Sequence, residues 1–139
     1  VGLDGSEKKR DTVFAVCVKM AGSFMQTELG EAAAASRWHR QEYAFRSRVG
    51  SKIVKGTMDL VFQNSDGTYT IVDYKTNQTM QPEIYYTQLA CYRQAIASML
   101  GTEAATIKCY LYYLRFGKEV DITADCAKVD VLSEVQKIQ

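Results

Sequence analysis

The chain has 139 residues, the length of one ordinary domain, and its 47% hydrophobic and 24% charged residues exclude disorder, collagen-like repeats and low complexity. Lys+Arg 17 against Asp+Glu 16 leaves a formal net charge of +1, which removes the simplest sign of a nucleic-acid binder, a strongly basic chain. The charge is uneven, however. Residues 37–55 hold Arg37, Arg40, Arg46, Arg48, Lys52 and Lys55 against Glu42 alone, and acids prevail after Gly117.

Residues 1–10 read as a solvated lead-in that opens on Val1, as a piece of a longer chain would, and residues 11–139 as a single domain. From Asp11 to Met20 the apolar residues fall on too many sides to fix a period, and a helix is favoured over a buried strand. Phe24 to Ser36 is rich in Ala, Glu, Leu and Met, the residues that lose least on entering a helix. Between Trp38 and Val49, Tyr43, Phe45, Ser47 and Val49 alternate with Glu42, Ala44, Arg46 and Arg48, the period of a strand. Gly50-Ser51 turns the chain into a second strand, Ile53–Gln63. Asn64-Ser65-Asp66-Gly67 then joins it to a third, Tyr69–Lys75, as a hairpin in which Gly67 takes the left-handed position. Pro82 opens and Gly101 ends a helix over Glu83–Leu100. Thr106–Arg115 alternates as a strand that Glu119–Thr123 can pair with, and Ala127–Ile138 closes the chain as an amphipathic helix. The pattern is α/β: a central mixed sheet of four to five strands flanked by helices.

Cys17, Cys91, Cys109 and Cys126 are scattered and form no CxxC pair, so neither a disulfide framework nor a local zinc or iron-sulfur site is expected, and a reducing compartment is. The longest apolar runs fall short of about 18 residues, which predicts no membrane span and a cytoplasmic protein.

The hairpin carries the chemistry. With Ser65-Asp66-Gly67 as the loop, paired residues have numbers summing to 132, which sets Val61 against Ile71 and Asp59 against Asp73. Like charges placed opposite one another destabilise a strand pair and call for a cation. Lys75, two residues past Asp73, stands on the same face, and hard carboxylate oxygens suit Mg²⁺ or Mn²⁺. On the following helix Gln88 and Tyr92 share a face at i and i+4. Each signal alone has an ordinary reading: hairpin aspartates are often solvated edge residues, Gln88 and Tyr92 a wet helix face, Tyr110, Tyr112 and Tyr113 strand packing, and His39 a surface residue.

Taken in order, Glu42-x-x-Phe45, Gly56-Thr57-Met58-Asp59-Leu60-Val61, Ile71-Val72-Asp73-Tyr74-Lys75-Thr76 and Tyr85-x-x-Gln88-x-x-x-Tyr92 resemble the RecB-family nucleases of the PD-(D/E)XK superfamily. The likeness is greatest to the C-terminal nuclease domain of AddA/RecB-type helicase-nucleases. It implies a restriction-endonuclease-like core, Asp59, Asp73 and the Tyr74 carbonyl as metal ligands, Lys75 as the catalytic lysine, Gln88 and Tyr92 as site-lining or lysine-orienting groups, and Glu42 as an auxiliary acid. It further implies an exonuclease acting on single-stranded DNA, helicase domains on the same parent chain, a second subunit where a helicase-nuclease complex forms, and a bacterial cytoplasmic role in double-strand-break repair and recombination. With no G-x-x-x-x-G-K-[ST] loop, no ATP site is expected within these residues. Arg46, Arg48, Lys52, Lys55, Gln88 and Tyr92 are the candidate DNA contacts. One departure stands out. Many members carry an additional metal-ligand histidine on an upstream helix; residues 1–38 contain none, and His39 lies too close to Glu42 to replace it. Either the piece begins after that helix or the site is built without it. The alternative reading is a catalytically inactive module of this fold that binds DNA or docks onto another protein of the complex.

Overall fold

The computed structural model describes residues 22–137. Five strands, β1 (His39–Val49), β2 (Lys52–Gln63), β3 (Tyr69–Lys75), β4 (Lys108–Tyr113) and β5 (Lys118–Asp121), form one sheet in the order β1-β2-β3-β4-β5. All neighbours are antiparallel except β3 and β4, which run parallel. A parallel pair needs a long crossover, and helix α2 (Tyr86–Leu100) supplies it. Helix α1 (Glu28–Ala35) precedes the sheet, and α3 (Thr123–Ala127) and α4 (Val131–Gln136) follow it. Among the described residues no helix is long and apolar enough to cross a membrane.

The expected strands and the hairpin are present. Leu60 faces Val72, Val61 faces Ile71 and Phe62 faces Thr70, each pair summing to 132 as the loop required, and Gly67 sits at φ +90°. Gly101, at φ +65°, ends α2 in the left-handed cap position. The helix expected from Glu83 starts as a 3₁₀ turn, Pro82–Tyr85, and becomes α-helical at Tyr86. Two helices differ from expectation. The one read over Phe24–Ser36 is interrupted at Gln26-Thr27, because Thr27 caps α1 by accepting from the Gly30 N–H at 3.0 Å. The one read over Ala127–Ile138 starts only at Val131, since Ala127 ends the preceding helix α3 and Asp130 leaves the helical region (φ −85°, ψ 94°) and caps α4 through the Ser133 N–H. Leu132 is accordingly 46% exposed while Val131 and Val135 are buried. The strand expected from Thr106 begins at Lys108, after a 3₁₀ turn over Ala104–Thr106. The helix expected over Asp11–Met20, Cys17 and Ile138 lie outside the described residues.

Each face of the sheet buries a cluster. On one, Phe45, Val49, Met58, Val61, Ile71, Leu111 and Tyr113 meet Leu89, Ala95 and Ile96 of α2, Cys126 of α3 and Val131 and Val135 of α4. On the other, Leu60, Phe62, Val72 and Tyr112 meet Phe24 and Ala33. Cys109 and Cys126 are buried free thiols and Cys91 a half-buried one, as the scattered spacing led us to expect.

One joint in the sheet departs from a regular ladder. β1 and β2 keep one register from His39↔Phe62 to Val49↔Lys52, but Glu42 and Asp59 are skipped. Glu42 is the one non-glycine described residue with positive φ, at +49°. At this joint both strands roll over together. On β2, Leu60 and Phe62 belong to the α1 side, whereas Met58 and Val54 belong to the α2 side. On β1, His39 and Gln41 line a cavity with Ala33 and Leu60, whereas Tyr43 and Phe45 pack toward α2.

Candidate active site

Asp59 is where the sheet opens. Its pairing with β1 is interrupted at Glu42, and the β2–β3 ladder ends one step away at Leu60↔Val72. The arithmetic that opposed Asp59 to Asp73 therefore holds for register but not for ladder bonding. Instead of a backbone partner, the Tyr74 N–H donates to Asp59 Oδ2 at 2.8 Å. One carboxylate oxygen is thereby fixed by the backbone of β3, and the side chain is held beside Asp73.

Asp73 is 4% exposed and Lys75 projects from the same face of β3. Lys75 Nζ lies 2.6 Å from Asp73 Oδ2. This buried oxygen makes no aligned hydrogen bond among the described residues, while Lys75 and Asp59 both lie beside the Asp73 carboxyl. The same Nζ donates to Gln88 Oε1 at 3.2 Å and sits 3.8 Å from the centre of the Tyr85 ring. Gln88 in turn donates through Nε2 to the Tyr92 hydroxyl at 2.8 Å, and the Tyr92 ring stacks edge-on against Phe45 at 5.2 Å. A chain of contacts thus runs Asp73, Lys75, Gln88, Tyr92, Phe45, from the carboxylates into the core.

Burial pushes the Asp73 carboxyl up to about 6, the Asp59 charge adds to the shift, and Lys75 opposes it. Burial and then the Asp59 and Tyr112 neighbours push the Tyr74 hydroxyl up to about 12, so it stays a neutral donor across the working range. Burial likewise raises Tyr92, with Asp73 contributing. The electrostatic signature is an excess of negative charge only partly met by one lysine. Two adjacent carboxylates, one with a buried oxygen lacking a hydrogen bond, fit a hard divalent cation. Among the described residues no group of three or more His, Cys, Asp or Glu comes together.

Glu42 is exposed, and its left-handed backbone turns it into a cavity of about 310 Å³ lined by Gly22, Met25, Gln41, Glu42, Asp59 and Tyr74. A left-handed non-glycine residue costs roughly 1–2 kcal/mol, and such outliers gather at functional sites. The basic residues fall elsewhere. Arg46 and Lys55 are directly opposed on the β1–β2 ribbon, and Arg48 is next along it opposite Ile53. These side chains are exposed on the face away from Phe45 and Val54, whereas alternation sends Lys52 to the other face with Val54. Gln88 and Tyr92 are far from that ribbon in function, being tied to Lys75. The tyrosine under Lys75, Tyr85, was part of the Tyr85-x-x-Gln88-x-x-x-Tyr92 motif but was given no role of its own, and the cavity residues Met25 and Gln41 were not singled out. The Tyr85-x-x-Gln88 spacing, one turn apart, is what sets the Tyr85 ring beside the lysine that Gln88 holds.

A family model of the PD-(D/E)XK nuclease superfamily matches residues 9–137. The chain belongs to that superfamily. Within it, the chain is similar to an ATP-dependent helicase/nuclease protein of Lysinibacillus sphaericus (strain C3-41), at 30% identity over 114 residues, covering 70% of this chain and 9% of that protein. The chain thus spans about a tenth of the curated relative's length. A crystal structure from Eubacterium rectale, of a protein named as a candidate exonuclease, superposes with a TM-score of 0.60 at 10% identity, covering 90% of this chain and 50% of that one. At that identity the shared property is the fold, a five-stranded mixed sheet flanked by helices. The PD-(D/E)XK assignment and the α/β sheet expected from the motifs are therefore both established for this chain.

Proposed function

We propose that this superfamily member is a Mg²⁺- or Mn²⁺-dependent deoxyribonuclease that hydrolyses phosphodiesters as an exonuclease. In this reading it forms the C-terminal module of an ATP-dependent helicase working in double-strand-break repair and recombination. The observation that carries the proposal is the clamped lysine: Lys75 Nζ is held between Asp73 Oδ2 at 2.6 Å and Gln88 Oε1 at 3.2 Å, over the Tyr85 ring. A purely structural ion pair needs none of that additional fixing.

Asp59 and Asp73 would hold the cation, with the Tyr74 carbonyl as a third oxygen. Bound there, a divalent cation supplies charge neutralisation at the scissile phosphate and a more acidic water. The chain's own groups do the rest. Lys75 Nζ donates to the phosphate oxygen on which charge grows, and Gln88 fixes the direction from which it does so. Tyr92, through its hydroxyl, fixes Gln88. Glu42 faces the same cavity as Asp59 and serves as the auxiliary acid that orders solvent there. Arg46, Arg48 and Lys55 hold the phosphates of a strand before it reaches Asp59.

Asp73→Ala and Lys75→Ala should each lower Mn²⁺-dependent cleavage of labelled single-stranded DNA by on the order of 10²-fold or more, the scale seen when one preorganised charge-stabilising group is lost. Wild-type rates in both variants would sink the assignment. Absence of cleavage by the wild type, together with no Mn²⁺ binding in calorimetry, would favour the inactive binding or docking module instead.

A further inference from the structure

Beside the cavity that Glu42 and Asp59 share lies a second one, of about 180 Å³, lined by Phe24, Met25, Ala33, Ala34, His39, Gln41, Leu60 and Tyr74. The two share Met25, Gln41 and Tyr74, so the second adjoins the cavity that Asp59 lines. We infer that this second cavity is a subsite for one unpaired nucleobase of the strand being cleaved. The inference rests on the nuclease reading above and adds to it a place for one base of the bound strand.

Size is the first argument. The space is far larger than the ~30 Å³ share of a water molecule and below the roughly 300–1,000 Å³ of pockets that enclose a whole drug-sized ligand. One flat ring system is the class of group that falls between. The chemistry of the walls is the second. Leu60, Ala33 and Phe24 are buried apolar walls, Met25 is 47% exposed although it is a large apolar side chain, and the Phe24 ring holds Tyr74 edge-on at 5.2 Å. A thioether and aromatic rings are the surfaces on which bases pack whatever their sequence. Polar groups stand where a base edge needs them: the Gln41 amide, the His39 ring and the Tyr74 hydroxyl, which keeps its proton.

The third argument is position. Arg46, Arg48 and Lys55 are exposed on the same face of the sheet as this cavity, beyond the Glu42/Asp59 joint. Arg46 and Lys55 are directly opposed, a placement that costs stability unless an anion lies across it. The ion pairs among the described residues, Lys75–Asp73 and Lys137–Glu134, involve none of the three. A strand laid along that ribbon meets Asp59 and then the cavity, so a base can enter the cavity while the adjoining phosphate lies at Asp59. A base in a duplex is paired and stacked and cannot enter without being extruded.

The test reads binding and does not depend on turnover. Full-chain protein is titrated, with Ca²⁺ in place of Mg²⁺, against a fluorescent single-stranded octanucleotide and against versions carrying one abasic residue at each successive position. One position should show a loss of affinity on the order of tenfold, the effect expected for losing one packed base. The other positions and a paired duplex should show little change. Ala34→Trp, which fills the cavity from an exposed helix position, should erase that position-specific loss, and Ala34→Leu should reduce it. Equal tolerance of abasic residues at every position overturns the inference, as does no binding at all, or a penalty that survives Ala34→Trp. Mn²⁺-dependent cleavage and its loss in Asp73→Ala are read separately, so failure of the base subsite and failure of the nuclease reading give different results.

Discussion

At the scale of single residues, burying the Asp73 carboxylate bears on stability. Its carboxyl is pushed up to about 6 from an ordinary 3.8 by burial and by Asp59. A raised carboxylate stabilises the folded chain most below its unfolded value and loses that contribution as pH climbs through the folded one. Without metal, stability should therefore fall by up to about 3 kcal/mol between about pH 4 and 7, since about two units at 1.36 kcal/mol each are involved. Urea unfolding in chelator across that range checks this, and Asp73→Asn should flatten the curve. Parallel curves for wild type and variant would show that Asp73 is not the group responsible. This part of the site was legible in the sequence, because Asp59, Asp73 and Lys75 sit at separations that a hairpin of known loop length converts directly into neighbours. The Glu42 backbone was not. Nothing in the composition of Gln41-Glu42-Tyr43 marks a left-handed residue, and glycine, which would have marked one, is absent there.

At the scale of elements, the motif residues with no chemistry find packing reasons. Phe45 is paired with Gly56 across β1 and β2, and a Cβ on Gly56 would lie 2.7 Å from the Phe45 ring. The glycine thus admits the ring that backs Tyr92, and through it Gln88 and Lys75. Gly56→Ala should cost roughly 1–3 kcal/mol, as overpacking does, and should reduce cleavage through displaced Tyr92; thermal unfolding with a matched activity assay would measure both. Unchanged stability would mean that the ring moves aside freely. The strands were readable because their alternation and their turn residues agree. The C-terminal helix misled because Ala127, Val131 and Val135 keep helical spacing, while the helix before ends at Ala127 and Asp130, acceptable inside a helix by charge, caps the next.

At the scale of the whole molecule, a net charge of +1 is compatible with polyanion binding because the two signs are segregated. Acids occupy the site and the C-terminal segment, while Arg46, Arg48 and Lys55 share one ribbon face. Binding to single-stranded DNA should fall steeply with salt, with a log–log slope of about −0.7 for each phosphate neutralised. Replacing Arg46 and Lys55 together by Gln should make that slope shallower by about 1.4 in anisotropy titrations, with little dependence on sequence. A slope that does not change would place the DNA on another face.

The joint at Glu42 and Asp59 gives the β1–β2 ribbon two halves with separate insides and outsides. Since side chains alternate with period two, deleting one residue within a half exchanges core for solvent in that half alone. The other half keeps its facing. Because one register runs through the joint, what changes across it is facing alone: residues of equal parity in the two halves look to opposite sides of the sheet. The ribbon should accept exchanges of whole half-segments between related chains more readily than single-residue insertions.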